Sequence, residues 1–388
     1  MRVGATRNES IDLLRGLVMV IMTVDHVREY SGAPGQVPLG DPVDLSNVTP
    51  LLFVLRWLAH FCAPVFAFLM GVSASFSGSH RSPVDRRKHL IGRGLILIAL
   101  ELTIVNWSWT FNPLWHRYFF QVIGALGVAM ICLGLASGWP RRVTLLAGII
   151  LAAGHNAFDS VRFEPNTWMH YVWSFLHQKN VLPLVGDYEI RTTYPVVSVV
   201  ALALCGYGIG HWFRDPDSPQ YSRRLMFTGL ALCALFFVLR LTNLYGDAGQ
   251  FQGQATWLYT LFSIGNTTKY PMSLQYMLMT IGPAMLLLAA KPDILGETVK
   301  LLGRVPMFYY VAHLLAAHLL VWSMALLNGY PVSSLNVVDR YGGIPQGFGF
   351  PLWASIPLSF VLIFLLLPAC RRYATLRESG THRWTSWI

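Results

Sequence analysis

The chain has 388 residues, of which 54% are hydrophobic and only 12% are charged, and its mean hydropathy is +0.47. Because this is about half the charge of an ordinary soluble domain, the composition excludes a soluble globular protein and predicts an integral membrane protein. The formal net charge is +10, but the basic residues form short clusters between apolar runs, which argues against nucleic-acid binding. We interpret these clusters as signals of membrane topology.

Ten runs of the sequence are long and apolar enough to cross a bilayer core, which takes about 17–25 helical residues. They lie near residues 11–29, 51–76, 89–110, 119–137, 142–159, 195–213, 225–243, 272–290, 305–327 and 350–370. The five cysteines lie in or at the end of these runs without paired spacing, so neither disulfides nor a metal site is predicted. The sequence therefore predicts an all-α, polytopic protein with about ten transmembrane helices in one domain, residues 1–388.

The orientation of these runs follows from the distribution of Lys and Arg, which are far more frequent in one set of alternate connections than in the other. Connections rich in Lys and Arg face the cytoplasm, so both termini are predicted to be cytoplasmic. The external connections are long, and long loops on one face usually carry recognition. They cover residues 30–50, 160–194, 244–271 and 328–349.

The first apolar run carries an unusual set of polar residues. In a helix, Asp12, Arg15, Met19, Met22 and His26 fall on a single stripe. At 1.5 Å per residue, Arg15 and His26 are about 16 Å apart along the axis, so one bound molecule could touch both. Ionisable residues inside a spanning helix indicate a functional site. The alternative is structural: an Asp12–Arg15 ion pair and a histidine at headgroup level.

The second run contains His60 four residues before Pro64. Proline lacks an N–H and its ring crowds the carbonyl four residues back, so we expect a kink that frees the carbonyl of His60. Irregular backbone at membrane depth is tolerated where it faces protein or a cavity, which makes His60 a candidate binding residue. A kink that serves packing alone is the alternative.

The third run begins with Arg86, Arg87 and Lys88, continues with Arg93 and contains Glu101 near its centre. Arginine pairs bidentately with phosphate, so the basic residues are candidates for binding the nucleotide end of coenzyme A. The alternative is a positive-inside anchor. Glu101 needs a cationic or hydrogen-bonding partner, which the sequence does not identify.

Other polar residues fall at the predicted external ends of the runs. His155 and Asp159 close the fifth run, and Asn266, Lys269 and Tyr270 precede the eighth. The ninth run contains two further histidines, His313 and His318. Their spacing of five residues points them about 140° apart on a helix, so they are poor joint ligands for one metal. Each of these residues is alternatively a polar residue that is satisfied structurally.

Several of these stretches together resemble a known family. They are Ser10-Ile-Asp-x-x-Arg-Gly-x-x-Met, Asp25-His26, His60-Phe-Cys-Ala-Pro-Val-Phe-Ala-Phe-Leu-x-Gly71, Glu101-Leu-Thr, Asn266-Thr-Thr-Lys-Tyr-Pro271 and Gly303-Arg-Val-Pro-Met-Phe-Tyr-Tyr310. In order and spacing, over nearly the whole chain, they are similar to bacterial members of the heparan-alpha-glucosaminide N-acetyltransferase catalytic-domain family. The Arg15-x10-His26 spacing is also similar to the wider acyltransferase-3 superfamily, where the histidine is taken as catalytic.

The resemblance implies a multi-pass enzyme of the bacterial cytoplasmic membrane that passes an acetyl group from cytoplasmic acetyl-CoA to an amine or hydroxyl of an extracytoplasmic, saccharide-like acceptor. On this reading His26 is the general base and the catalytic group also includes Asp25 and Glu101. The donor is bound by Asp12, Arg15, Arg86, Arg87, Lys88 and Arg93, and the acceptor by His60, Asn266, Lys269 and Tyr270. No metal and no nucleic acid is expected.

Two points remain open at this stage. A small-molecule transporter or exporter could use the same buried polar residues, whereas a scaffold without chemistry would leave the polar stripe unexplained. The sequence sets neither the acceptor nor the oligomeric state, which is open between a monomer and a homodimer.

Overall fold

The computed structural model describes residues 8–32, 43–76, 82–112, 114–291, 296–335 and 343–381. These residues are mostly helical, as predicted. Parts of the predicted external connections 30–50 and 328–349 lie outside the described residues. The helices are α1 (Glu9–Ser31), α2 (Pro50–Ala59), α3 (Cys62–Phe76), α4 (Pro83–Leu100), α5 (Asn106–Thr110), α6 (Val122–Ala136), α7 (Arg141–Gly154), α8 (Trp168–Leu176), α9 (Val196–Ile209), α10 (Pro219–Thr242), α11 (Trp257–Gly265), α12 (Leu274–Ala290), α13 (Gly296–Arg304), α14 (Pro306–Leu327) and α15 (Leu352–Glu378).

Six helical stretches within the described ranges are long and apolar enough to cross a membrane. They are Pro50–Phe76, Pro83–Thr110, Val196–Arg214, Pro219–Thr242, Pro306–Leu327 and Leu352–Glu378. The apolar helices α6 and α12 are shorter. Helix α1 is long enough but carries several charged residues, among them Asp12, Arg15, Asp25 and Arg28. The chain is a polytopic helical membrane protein.

The predicted kink in the second run is confirmed. Helix α2 ends at Ala59 and α3 begins at Cys62, with a turn between them. The carbonyl of His60, which loses its helical partner because Pro64 has no N–H, accepts a hydrogen bond from the Tyr276 hydroxyl at 2.7 Å. The break is therefore stabilised by α12, and the freed carbonyl is satisfied inside the protein.

Close helix packing fixes α1 in the centre of the bundle. A Cβ atom on Gly303 would lie 1.8 Å from the Asp12 carbonyl oxygen, and one on Gly16 would lie 1.8 Å from that of Val299. Only glycine permits this approach between α1 and α13. At its other terminus, the Ser31 hydroxyl lies 3.0 Å from that of Ser355 near the start of α15. We call the two ends of the bundle the Glu9 end and the Ser31 end, after the limits of α1.

A small sheet departs from the all-α prediction. Strand β1 (Arg117–Phe120) pairs in parallel with β3 (Glu189–Thr192), which pairs antiparallel with β2 (Asn180–Pro183). Each strand has four residues, too few for an alternating pattern to identify in the sequence. The side chain of Asn106 at the start of α5 holds β1, because it donates to the Arg117 carbonyl and accepts from the Phe119 N–H.

Candidate functional site

A cavity of about 280 Å³ follows α1 through the bundle. Toward the Glu9 end its wall includes three arginines, Arg15, Arg93 and Arg377. The middle is apolar and rich in methionine. Toward the Ser31 end it reaches polar groups: Asp25, His26, Tyr194, Lys269 and Tyr310. The cavity therefore joins a strongly basic region to a histidine through an apolar passage.

Arg15 forms the ion pair with Asp12 that the sequence analysis gave as the structural alternative. It also lines the cavity. One guanidinium nitrogen lies 3.5 Å from a carboxylate oxygen of Asp12, and another donates to the hydroxyl of Ser73 on α3. The Arg15 side chain is 19% exposed. Asp12 is buried and is not part of the cavity wall. The ion pair thus positions the guanidinium without withdrawing it from the cavity.

The basic residues of α4 separate into two groups. Arg93 lines the cavity, whereas Arg86, Arg87 and Lys88 lie in the first turns of α4 and do not. Arg86 donates to the carbonyl of Ser137 at the end of α6, 2.5 Å away. Arg86 and Arg93 share a helix face, since seven residues make nearly two turns. This face runs from the Glu9 end of the bundle to the cavity.

The ring of His26 is held by a second histidine that the sequence analysis set aside. His26 Nδ1 lies 2.8 Å from His313 Nε2, and His313 Nδ1 lies 2.9 Å from the Tyr309 carbonyl oxygen. A carbonyl only accepts, so His313 Nδ1 carries the proton and its Nε2, in the neutral ring, accepts from His26 Nδ1–H. The neutral His26 ring then has its lone pair on Nε2. This is the tautomer that a general base requires.

Aromatic rings enclose His26. Trp109 meets the imidazole edge-on with ring centroids 4.9 Å apart, and Tyr310 does so at 6.4 Å. The Asp25 carboxylate is bound by arginines: Arg28 donates to it at 2.7 Å and Arg56 lies 3.6 Å away. The orientation of His26 therefore comes from His313 and not from its sequence neighbour.

Glu101 lies outside the cavity wall and is fully buried. It is the first residue of a π-helical turn, Glu101–Val105, between α4 and α5. Its carboxylate accepts the N–H of Gly124 at 2.7 Å, at the start of α6. A carboxylate is favourable at a helix N-terminus, so the backbone of α6 is the partner that the sequence did not identify. Gln121 and Val122 in the same turn line the cavity, and Glu101 thus fixes part of its wall.

Of the four predicted acceptor-binding residues, Lys269 lines the cavity and the other three do not. Lys269 lines the cavity, is buried, and lies 5.8 Å from the ring centroid of Tyr194 and 5.2 Å from that of Tyr270. Tyr270 packs against Tyr194 behind this wall. The Asn266 side chain exchanges two hydrogen bonds of 2.7 Å with the backbone of Val43. His60, which is buried, and Asn266 are not among the residues that line the cavity.

Two residues of the cavity region were missed by sequence reasoning. Arg377 was not singled out by sequence analysis, yet it lines the cavity and donates to the Arg304 carbonyl at 2.7 Å. His313 was interpreted as a satisfied core histidine. The contact between His313 and His26 spans 287 positions of the chain, and helix periodicity carries no information about such a separation.

A second group of side chains with metal-ligand chemistry lies away from the cavity. His155, Asp159 and His177 offer ligand atoms within 4.8 Å of one another. Sequence analysis noted the first two as polar residues at an external helix end and predicted no metal. It did not single out His177, which is distant from them in the sequence. None of the three lines the cavity that contains His26.

The fold and the cavity define a polytopic helical membrane protein in which basic residues and the histidine His26 line one internal passage. A family model described as the catalytic domain of heparan-alpha-glucosaminide N-acetyltransferase matches residues 7–240. The chain belongs to this family, and it is accordingly a transmembrane acetyltransferase. The matched range contains Arg15, Arg93 and His26, while Lys269 and His313 lie beyond it. No curated protein matches the chain.

Proposed function

We propose that the protein transfers an acetyl group from acetyl-CoA to an amine or hydroxyl of a saccharide-like acceptor, with His26 as the general base. The observation that carries this proposal is the hydrogen-bond chain from His26 through His313 to the Tyr309 carbonyl. It leaves the lone pair of His26 on Nε2, at a residue that lines the same cavity as three arginines.

The shape of the cavity supports a donor that enters from the Glu9 end. Its apolar middle suits the pantetheine arm, and the distance of about 16 Å between Arg15 and His26 along α1 suits the length of that arm. A volume of about 280 Å³ is too small for the nucleotide as well, which would then lie at the mouth. Arg93 and Arg377, with Arg86, Arg87 and Lys88 on the adjoining surface, would hold its phosphates.

The chemistry at the Ser31 end follows from the tautomer of His26. As the acceptor nitrogen or oxygen forms its bond to the acetyl carbonyl carbon, its proton moves to His26 Nε2. The imidazolium that forms keeps its Nδ1–H bond to His313. The carbon–sulfur bond then breaks, and the proton passes from His26 to the departing thiolate. Lys269 is the cation of the cavity wall best placed to stabilise the charge on the carbonyl oxygen or to bind the acceptor.

The proposed direction of transfer also requires a topology. We propose ten transmembrane helices with both termini in the cytoplasm, as the Lys and Arg distribution predicts, in a bacterial cytoplasmic membrane. The Glu9 end then faces cytoplasmic acetyl-CoA, and the Ser31 end faces an acceptor in the cell envelope. Asp25 and the Glu101-bound turn of α6 would shape the catalytic end of the cavity, while His60 and Asn266 would stabilise its surroundings.

The test measures free thiol released from acetyl-CoA by the purified protein in nanodiscs, with a panel of amino and neutral saccharides. We expect release only when an acceptor is present, and acetylated acceptor in equal amount. Saccharide counterflow into liposomes without thiol release would instead support a transporter.

A further inference from the structure

The cluster of His155, Asp159 and His177 is built from two segments at the Ser31 end. His155 begins a 3-10 turn, His155–Phe158, directly after α7, and Asp159 follows this turn. His177 directly follows α8 as its C-cap residue. The His177 Nε2 and Asp159 Oδ1 atoms are 3.0 Å apart. The cluster thus joins the end of α7 to the segment that carries α8 and the small sheet.

The three candidate ligand side chains, two imidazoles and one carboxylate, suit a divalent transition metal. Two imidazoles and one carboxylate are a common protein ligand set for zinc, with the fourth position taken by water. Ligands about 2.0–2.2 Å from a tetrahedral ion lie roughly 3.3–3.5 Å from each other. The His177–Asp159 pair, 3.0 Å apart, already approaches that separation, and all three ligand atoms lie within 4.8 Å of one another.

His155 provides an independent indication of a ligand. Its side chain is 4% exposed, and neither ring nitrogen makes a hydrogen bond within the described part of the chain. The backbone of Met272 lies beside the ring, but outside the geometry of a normal hydrogen bond. Burying a polar ring without partners is costly, so such a group in a native protein needs an explanation. An ion bound by one of its nitrogens supplies one.

The surroundings hold the ligands and leave an entry path. Asn156 donates to the second carboxylate oxygen of Asp159 at 2.9 Å and accepts the N–H of Leu274 at 2.9 Å, which ties the turn to α12. Hydrogen bonds of this kind orient metal ligands. The ring of Trp173 packs on His177 with centroids 5.0 Å apart. The Asp159 side chain is 26% exposed, so an ion can reach the cluster from solvent.

We propose that His155, Asp159 and His177 bind one zinc ion, which clips the end of α7 to α8. This site is separate from the cavity with His26 and does not depend on the acetyltransfer proposal. The alternative is a metal-free His177–Asp159 hydrogen bond beside an unsatisfied His155.

The experiment uses the full-length chain in detergent, without a histidine tag and stripped with a chelator. Zinc alone is titrated by calorimetry, and thermal unfolding is followed with and without zinc. We expect one zinc per chain and a higher Tm on binding. His155→Ala and His177→Ala should each weaken binding at least about tenfold, the scale on which changes near a metal affect its affinity. His170→Ala, on the same helix but outside the cluster, should bind as the wild type does.

Asp159→Asn preserves the size of the side chain and serves if an alanine variant does not fold. It too should bind zinc at least about tenfold more weakly. The absence of stoichiometric zinc binding by the wild type at micromolar concentrations would overturn the proposal. Unchanged affinity in His155→Ala and Asp159→Asn would do the same.

Discussion

Replacing His313 by alanine tests whether the second histidine orients the first. The substitution removes the acceptor of the His26 Nδ1–H bond, which is 2.8 Å long and lies between helices α1 and α14. It leaves His26 itself, the arginines and the donor passage in place. The imidazole can then rotate, and its proton can occupy either nitrogen, so only part of the population presents a basic Nε2.

The size of the effect follows from the hydrogen bond that is lost. Leaving a buried donor unpaired costs about 1–3 kcal/mol, and 1.36 kcal/mol corresponds to a tenfold change in rate. We therefore expect kcat to fall by about 5- to 150-fold, with KM for acetyl-CoA changed less than about twofold. His313→Gln should recover part of the loss, because its amide oxygen can accept the same N–H.

Initial rates of thiol release at saturating donor measure kcat, and thermal unfolding verifies that the variant is folded. The matched control is His318→Ala, on the same helix. Its ring contacts the Ser108 carbonyl, Phe111 and Tyr30. A folded His313→Ala variant with wild-type kcat would refute the orienting role, as would an equal loss in His318→Ala.

Three further predictions concern the donor passage and its wall. Charge-assisted phosphate bonds contribute about 1.5–3 kcal/mol each, so removing the arginines of the donor site should weaken acetyl-CoA binding at least about tenfold in each of three variants: Arg93→Ala, Arg377→Ala and the double variant Arg86→Ala/Arg87→Ala. The control is Arg223→Ala, which replaces an exposed arginine outside the cavity and should leave binding unchanged. Unchanged Kd values by calorimetry in the three variants would remove these residues from the donor site. Arg15→Lys keeps the charge but loses the planar guanidinium group that reaches both Asp12 and Ser73. Turnover should therefore fall while Tm stays close to that of the wild type. Wild-type kinetics in this variant would leave Arg15 with only its ion pair to Asp12. Glu101→Ala should lower the free energy of unfolding by about 1–3 kcal/mol, because the Gly124 N–H of α6 loses its buried acceptor. Glu101→Gln still offers an acceptor, so its Tm should be closer to that of the wild type. Equal Tm values for both variants and the wild type would contradict the role of Glu101 as the acceptor for α6.

Local features of this protein could be read from the sequence because short-range physics determines them. The kink at His60 follows from Pro64 alone, and the partner of the freed carbonyl, Tyr276, is a consequence of the later packing of α12. The stripe on α1 also follows from helix geometry, and it is the part of the cavity wall that runs past Met19 and Met22. Family resemblance, carried by the same stretches, is confirmed over residues 7–240.

The rest depends on contacts between distant segments. His313 contacts His26, and Arg377 lines the cavity, because α14 and α15 pack beside α1. No periodicity within those helices indicates this. The sequence predicted that Glu101 needs a hydrogen-bonding or cationic partner but could not identify it, because that partner is the backbone of α6. The four-residue strands of the sheet and the approach of His177 to His155 likewise arise only in the folded chain.

The most direct test of the proposed mechanism is the activity of His26→Ala with acetyl-CoA and a saccharide acceptor. Loss of a general base usually reduces turnover by about 10²–10⁴-fold. We expect a loss in that range with the Kd for acetyl-CoA close to that of the wild type, since the arginines at the Glu9 end are unchanged. A folded variant that binds the donor and turns over within a few-fold of the wild type would contradict the assignment of His26 as the base.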